Sequence, residues 1–187
     1  LARSAGAKLV KAPLTQDFRY NVKGIANLIH EKTKVIYVAN PNNPTGTYIT
    51  KSEFDFLMKH VPDHVLVILD EAYFEFAKEL DDYPDSMDYR YDNVITLRTF
   101  SKAYGLAGLR VGFALGSERV ITYLGQVGLP YSVSAPSLAI VESYFDQANL
   151  YMNQQAEQIR QERRELEDLL QQFEGECSSS EGNFVFY

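Results

Sequence analysis

The sequence predicts an α/β fold, a three-layer α/β/α sandwich built on a mostly parallel sheet. Three observations carry that prediction. Short apolar runs recur at 35–39, 65–69, 94–97 and 111–115. Segments with helix-face spacing lie among them. The runs are apolar throughout rather than alternating, as in strands buried on both faces of a parallel sheet.

The elements follow in order. Residues 8–12 are a short apolar-rich strand candidate. Residues 22–29 place Val22, Ile25, Ala26 and Ile29 on one helix face. Residues 35–39 form a strand that runs into Asn40-Pro41. Thr50 caps the next helix, and Glu53, three residues on, completes a capping box. Phe54, Leu57, Met58 and Val61 are that helix's buried face. The strand at 65–69 ends in Asp70-Glu71, and the strand at 94–97 ends in Arg98-Thr99. A strand at 111–115 and a helix at 118–126 follow. Beyond Pro136 the character changes. Residues 138–145 and 151–173 read as two helices, the second long and charged with Ile159, Leu166, Leu170 and Phe173 near one face. Residues 178–182 form a turn, and 183–187 open a new strand.

Composition bounds the function. The 187 residues, 45% hydrophobic, suffice for one well-buried core and a piece of a second domain. Net charge is −7, and the acidic run between Asp70 and Asp92 reads as a solvated surface. No basic stripe marks a nucleic-acid binder. Cys177 is the single cysteine, which forbids an internal disulfide and fits a reducing, cytoplasmic setting. No apolar run reaches membrane-spanning length and no signal pattern opens the chain. The chain starts at Leu1 and stops inside a strand-like run, so we expect a fragment of a longer protein. His30, His60 and His64 read as surface or helix-end residues, with no Cys/His spacing for a metal.

In parallel sheets, ligands collect beyond the carboxyl ends of the strands. Three unusual polar clusters sit there. Asn-Pro-Asn-Asn-Pro-Thr-Gly at 40–46 is a rigid turn, with φ fixed by two prolines and a close bend at Gly46. Taken alone it is as well read as a plain strand-to-helix connection. Asp70 directly follows a buried strand. It either caps a turn or meets a cation, since an unpaired buried carboxylate is costly. Thr99, Ser101, Lys102 and Arg110 form the third cluster. Two hydroxyls and a guanidinium suit a phosphate. Lys102 is a further phosphate contact or a nucleophile that forms a Schiff base with a carbonyl. The glycine spacing of a Walker loop is missing.

Together the clusters describe one ligand. It has an aldehyde for Lys102 and a phosphate for Thr99, Ser101 and Arg110. It has a basic ring nitrogen for Asp70 and a ring hydroxyl for Asn40 and Tyr73. Pyridoxal 5′-phosphate has all four.

The strings NPNNPTG (40–46), DEAYFEF (70–76) and RTFSKAYGLAGLRVGF (98–113) resemble those of the fold-type I pyridoxal-phosphate aminotransferases, most closely the histidinol-phosphate type. The resemblance runs over nearly the whole chain. It implies Lys102 as the Schiff-base lysine and Asp70 on the pyridine nitrogen. It implies Asn40 and Tyr73 on the ring hydroxyl, and Thr99, Ser101 and Arg110 on the phosphate. Residues 1–150 would be the large cofactor domain, its N-terminal part missing. Residues 151–187 would be an interdomain helix and the start of a small C-terminal domain. The implied reaction moves an amino group from histidinol phosphate or an aromatic amino acid to 2-oxoglutarate, in a cytoplasmic homodimer. The substrate and stacking residues of the family's two ends fall outside the chain, so the fragment alone is expected to be poorly active. Two other readings share these strings: a threonine-phosphate decarboxylase, and a regulator with an aminotransferase-like domain.

Overall fold

The computed structural model describes residues 2–89 and 91–187. A four-stranded sheet in the order β1-β2-β3-β4 is its spine. The strands are β1 (Val35–Ala39), β2 (Leu66–Asp70), β3 (Val94–Thr99) and β4 (Gly112–Leu115). The first three run parallel, with Ala39 beside Asp70 and Asp70 beside Leu97. β4 is antiparallel to β3, pairing Thr99 with Gly112. The strands joined by the 98–113 string therefore turn back on one another, while β1, β2 and β3 all deliver their carboxyl ends to one edge.

Helices α1 (Val22–Asn27) and α2 (Lys51–His60) cover one face of the sheet. Both capping predictions for α2 hold. Thr50 accepts from Glu53 N, and Glu53 Oε2 accepts from Thr50 N at 2.7 Å. Phe54, Leu57 and Met58 bury against Ile36, Val38, Val67 and Leu69, with Val61 beside them. Fully burying such a side chain is worth about 1.5–3 kcal/mol each, so this contact anchors the layer. On the other face Tyr37 remains 55% exposed.

Helix α3 (Phe74–Ala77) follows β2, and helix α4 (Glu118–Val127) follows β4. The expected helices at 138–145 and 151–173 are one, α5 (Ala135–Leu170). Ser134 caps it, and no proline or glycine falls inside it past the first turn to break it. The expected domain limit near residue 150 therefore lies within a continuous helix. Residues 8–12 form no strand: Leu9 and Val10 stay exposed and no strand pairs with them. Residues 183–187 are likewise not a strand, although Ser178 N bonds Phe186 O at 3.0 Å. No helix among the described residues is long and apolar enough to cross a membrane.

A second apolar cluster ties the strand ends to α5. Tyr73 and Phe76 pack with Ala103, Met152 and Ala156, and Phe184 joins from the C-terminal segment. Tyr104 Oη donates to Asn149 Oδ1 at 3.0 Å, and Lys78 Nζ donates to Asn153 Oδ1 at 2.8 Å. The loop that carries Lys102 is therefore held from behind by the long helix.

Candidate active site

Strand alternation decides what faces the ligand side. Tyr37 and Ala39 share a face of β1, and the register sets Ala39 beside Asp70. Tyr37 Oη donates to Asp70 Oδ2, and Ala72 N donates to Asp70 Oδ1 at 3.2 Å. Of the two readings the sequence leaves for Asp70, a turn cap or a cationic partner, the structure shows the turn cap, through Ala72 N, and adds the Tyr37 phenol. The two suffice because Asp70 is only half-buried. Burial, and then the Asp70 carboxylate, raise the Tyr37 hydroxyl well above its ordinary range, so it remains a donor.

An open cavity of about 600 Å³ lies at the ends of β2 and β3, lined among others by Asp70, Thr99, Ser101, Lys102 and Arg110. Five of the seven expected site residues thus share one wall. Thr99 Oγ1 accepts from Ser101 N at 3.1 Å, which folds the chain tightly after β3. Arg110 has φ 57° and ψ 41°, a left-handed turn that ends the glycine-rich bend and starts β4. Its Nη1 donates to Ala107 O at 2.9 Å, bracing the guanidinium at the cavity rim. Lys102 Nζ lies 5.1 Å from the centre of the Tyr73 ring, within cation–π reach.

Tyr73 and Asn40, the other two, behave differently. Tyr73 is buried between Lys102 and Phe184, and its ring meets that of Phe184 edge to face at 5.1 Å. Asn43 Nδ2 lies 3.1 Å from Tyr73 Oη. Asn40 is 1% exposed, and its Oδ1 accepts from Ile49 N at 2.8 Å. Its side chain closes the 40–46 loop from within. It is Asn43, exposed and three residues on, that meets Tyr73. Both asparagines precede a proline, and both Asn-Pro bonds are cis. Nothing in the string separates the two without knowing which way the loop turns.

Behind the cavity lies a charged cluster. The acidic run at 70–92 is not wholly solvated, because Glu71 is 1% and Glu75 5% exposed. Arg98 Nε and Nη2 donate to Glu71 Oε2 at 3.0 and 2.9 Å, and Nη2 donates to Asp85 Oδ1 at 2.8 Å. The guanidinium carbon sits 3.5 Å from the Phe74 ring centre. Burial pushes both carboxyls up, to about 7 each, against the pull of Arg98.

Glu75 Oε2 makes no hydrogen bond among the described residues. Because its folded pKa exceeds the ordinary 4.5, the stability it contributes is complete below that value. It is lost as pH rises through about 7. Glu75→Gln should therefore match the parent at pH 4 and gain about 1–3 kcal/mol over it at pH 8. Urea denaturation of both proteins at the two pH values checks this. An equal difference at both would contradict it.

Comparison with known proteins adds the family. The description "Aminotransferase class I and II" matches residues 1–187. The chain belongs to the class I and II aminotransferase family. Among relatives of this aminotransferase chain is the aromatic amino acid aminotransferase of Corynebacterium glutamicum. It is 45% identical over 160 residues, which are 84% of this chain and 47% of the relative. Histidinol-phosphate aminotransferase 2 of Carboxydothermus hydrogenoformans is 47% identical over 121 residues, 64% of this chain and 33% of that one. The crystal structure of histidinol-phosphate aminotransferase from Sinorhizobium meliloti, in complex with pyridoxal-5′-phosphate, superposes with a TM-score of 0.88. It is 28% identical, covering 98% of this chain and 50% of that one. The expected fold-type I architecture is thus the observed one. The chain spans about half the length, or less, of the curated relatives it matches.

Proposed function

We propose that the protein containing this chain is a pyridoxal 5′-phosphate-dependent aminotransferase acting on a ring-bearing amino substrate, histidinol phosphate or an aromatic amino acid, with 2-oxoglutarate as amino acceptor. One observation carries the reading. Among the described residues, a single lysine, Lys102, lines a cavity that also presents Asp70, two hydroxyls and Arg110. That donor set fits the cofactor. A primary amine suits an aldehyde, a carboxylate suits a ring nitrogen, and Thr99, Ser101 and Arg110 suit a phosphate. Family membership supports the reaction type, and relatives named for both substrates support the substrate class.

When bound, pyridoxal phosphate supplies an aldehyde and a ring that takes up the electrons of a broken Cα–H bond. The chain's own residues do the rest. Asp70, steadied by Tyr37 and by Ala72 N, holds a negative charge at the ring nitrogen. Asn43 and Tyr73, joined at 3.1 Å, bind the ring hydroxyl; Asn43 takes the part first expected of Asn40. The Lys102 amine holds the cofactor and moves the substrate Cα proton. Tyr73 and the α5 cluster behind it back the Lys102 loop on one side.

We also retain the division into a cofactor domain over 1–150 and a second domain opening within 151–187. In the full-length protein we expect a homodimer. The deciding experiment uses the full-length protein loaded with pyridoxal phosphate. It is offered histidinol phosphate, phenylalanine or threonine phosphate with 2-oxoglutarate, and glutamate and carbon dioxide are measured. Glutamate from either of the first two is the expected result. Carbon dioxide from threonine phosphate without glutamate, or no product from any of the three, would overturn the reading.

A further inference from the structure

Arg98 stands in the cavity wall beside Lys102 and Arg110, yet its charge is committed elsewhere. Two carboxylates, Glu71 and Asp85, take its forked donors, and Phe74 takes its flat face. Strand alternation puts Arg98 on the face opposite Leu97 and Thr99. Glu71 likewise points away from the side of Asp70. The ion pair therefore lies behind the site.

Its place in the ladder is the telling point. The pairing of β2 with β3 ends at Asp70 and Leu97, with one more backbone bond from Glu71 N to Leu97 O at 2.9 Å. Thr99, Ser101 and Lys102 lie past that end. Between β2 and the Lys102 loop, the Glu71–Arg98 fork is the next tie. We propose that Arg98 is a positioning residue: forked onto Glu71 and Asp85, it fixes the loop carrying Thr99, Ser101 and Lys102 against the strand end carrying Asp70. This rests on the reading of the site as a pyridoxal-phosphate site.

The geometry makes the guanidinium shape the requirement, not the charge. An ammonium is a point charge that cannot fork onto one carboxylate, reach the other and stack on Phe74 at once. Arg98→Lys is thus the informative variant, and Asp85→Asn a gentler one, since Asp85 is partly exposed.

The test uses the full-length protein with pyridoxal phosphate. The parent's cofactor absorbance is first titrated with pH, and the cofactor is fixed to Lys102 by borohydride. Failure of the parent at this step sinks the cofactor reading itself. Given a normal parent, Arg98→Lys should raise the cofactor Kd about tenfold and lower kcat by about 10- to 100-fold, the scale of an ångström-sized misplacement. The KM for the amino substrate should stay near the parent's, and the pH midpoint of the absorbance should move. Asp85→Asn should shift Kd and midpoint the same way by less. A folded Arg98→Lys protein with the parent's Kd and midpoint overturns the proposal. If Arg98→Lys does not fold, an unchanged Kd and midpoint in Asp85→Asn overturns it, and a shift supports it.

Discussion

Alanine in place of Lys102 in the full-length protein is expected to abolish both transamination and covalent retention of pyridoxal phosphate. Lys102 is the one lysine among the described residues lining the cavity, so no neighbouring amine stands in for it. It is asked to do two jobs, as nucleophile toward an aldehyde and as carrier of a proton. A single positioned acid–base group contributes about 10²–10⁴-fold, so a loss at or beyond the top of that range is expected. The fold should survive, because among the described residues the amine makes no ion pair and its loop is held by Ala103, Tyr104 and α5. Borohydride treatment followed by peptide mass analysis reads the covalent link directly. Cofactor still fixed to the Lys102→Ala protein, at any other lysine, would remove Lys102 from the role.

Why some of the site was legible and some was not follows from the kind of information each residue carries. β1 was readable because an apolar run of five residues before Asn-Pro has few other fates. Thr50 and Glu53 were readable because a capping box is a local hydrogen-bond exchange, complete within four residues. Asp70, Thr99, Ser101 and Lys102 could be grouped because strand ends in a parallel sheet converge on one edge, and the structure sets them on one cavity wall. That Asn40 turns inward to Ile49 N while Asn43 meets Tyr73 is not legible in the string, because the path of the 40–46 loop is also held by contacts over one hundred residues away. Tyr37 could have been found: two residues before the strand's last position, it lies on the same face as Asp70's neighbour Ala39. The helices at 138–145 and 151–173 were split on a change of composition alone, though nothing between them breaks a helix. The acidic run was read as solvated because its compensation, Arg98, comes from a different strand.

Those distant contacts on the 40–46 loop give the other large expected effect. Residues 178–182 lie directly on it. Ser178 Oγ donates to Thr45 O, and Glu181 N donates to Gly46 O at 2.7 Å. Arg163 of α5, itself buried, holds this segment from behind, with Nη1 on Gly182 O at 2.9 Å and Nη2 on Glu181 Oε2 at 2.7 Å. Gly46 permits the approach twice over. Its φ is +71°, and a Cβ there would stand 2.0 Å from Ser180 Oγ and 2.6 Å from Ser180 Cα. The second distance matters more, because a backbone atom cannot rotate aside. Gly105 supplies the control, with φ +69° and nothing within 4 Å of its added Cβ. Gly105→Ala should cost only the left-handed strain, about 1–2 kcal/mol. Gly46→Ala should cost that and the overpacking, about 1–3 kcal/mol more. It should also weaken cofactor binding, because the loop that carries Asn43 must move with the segment. Denaturant melts of both variants in the full-length protein separate strain from collision. Equal losses for the two would mean that the segment at 178–182 yields freely, and that the long helix does not hold the asparagine loop in place.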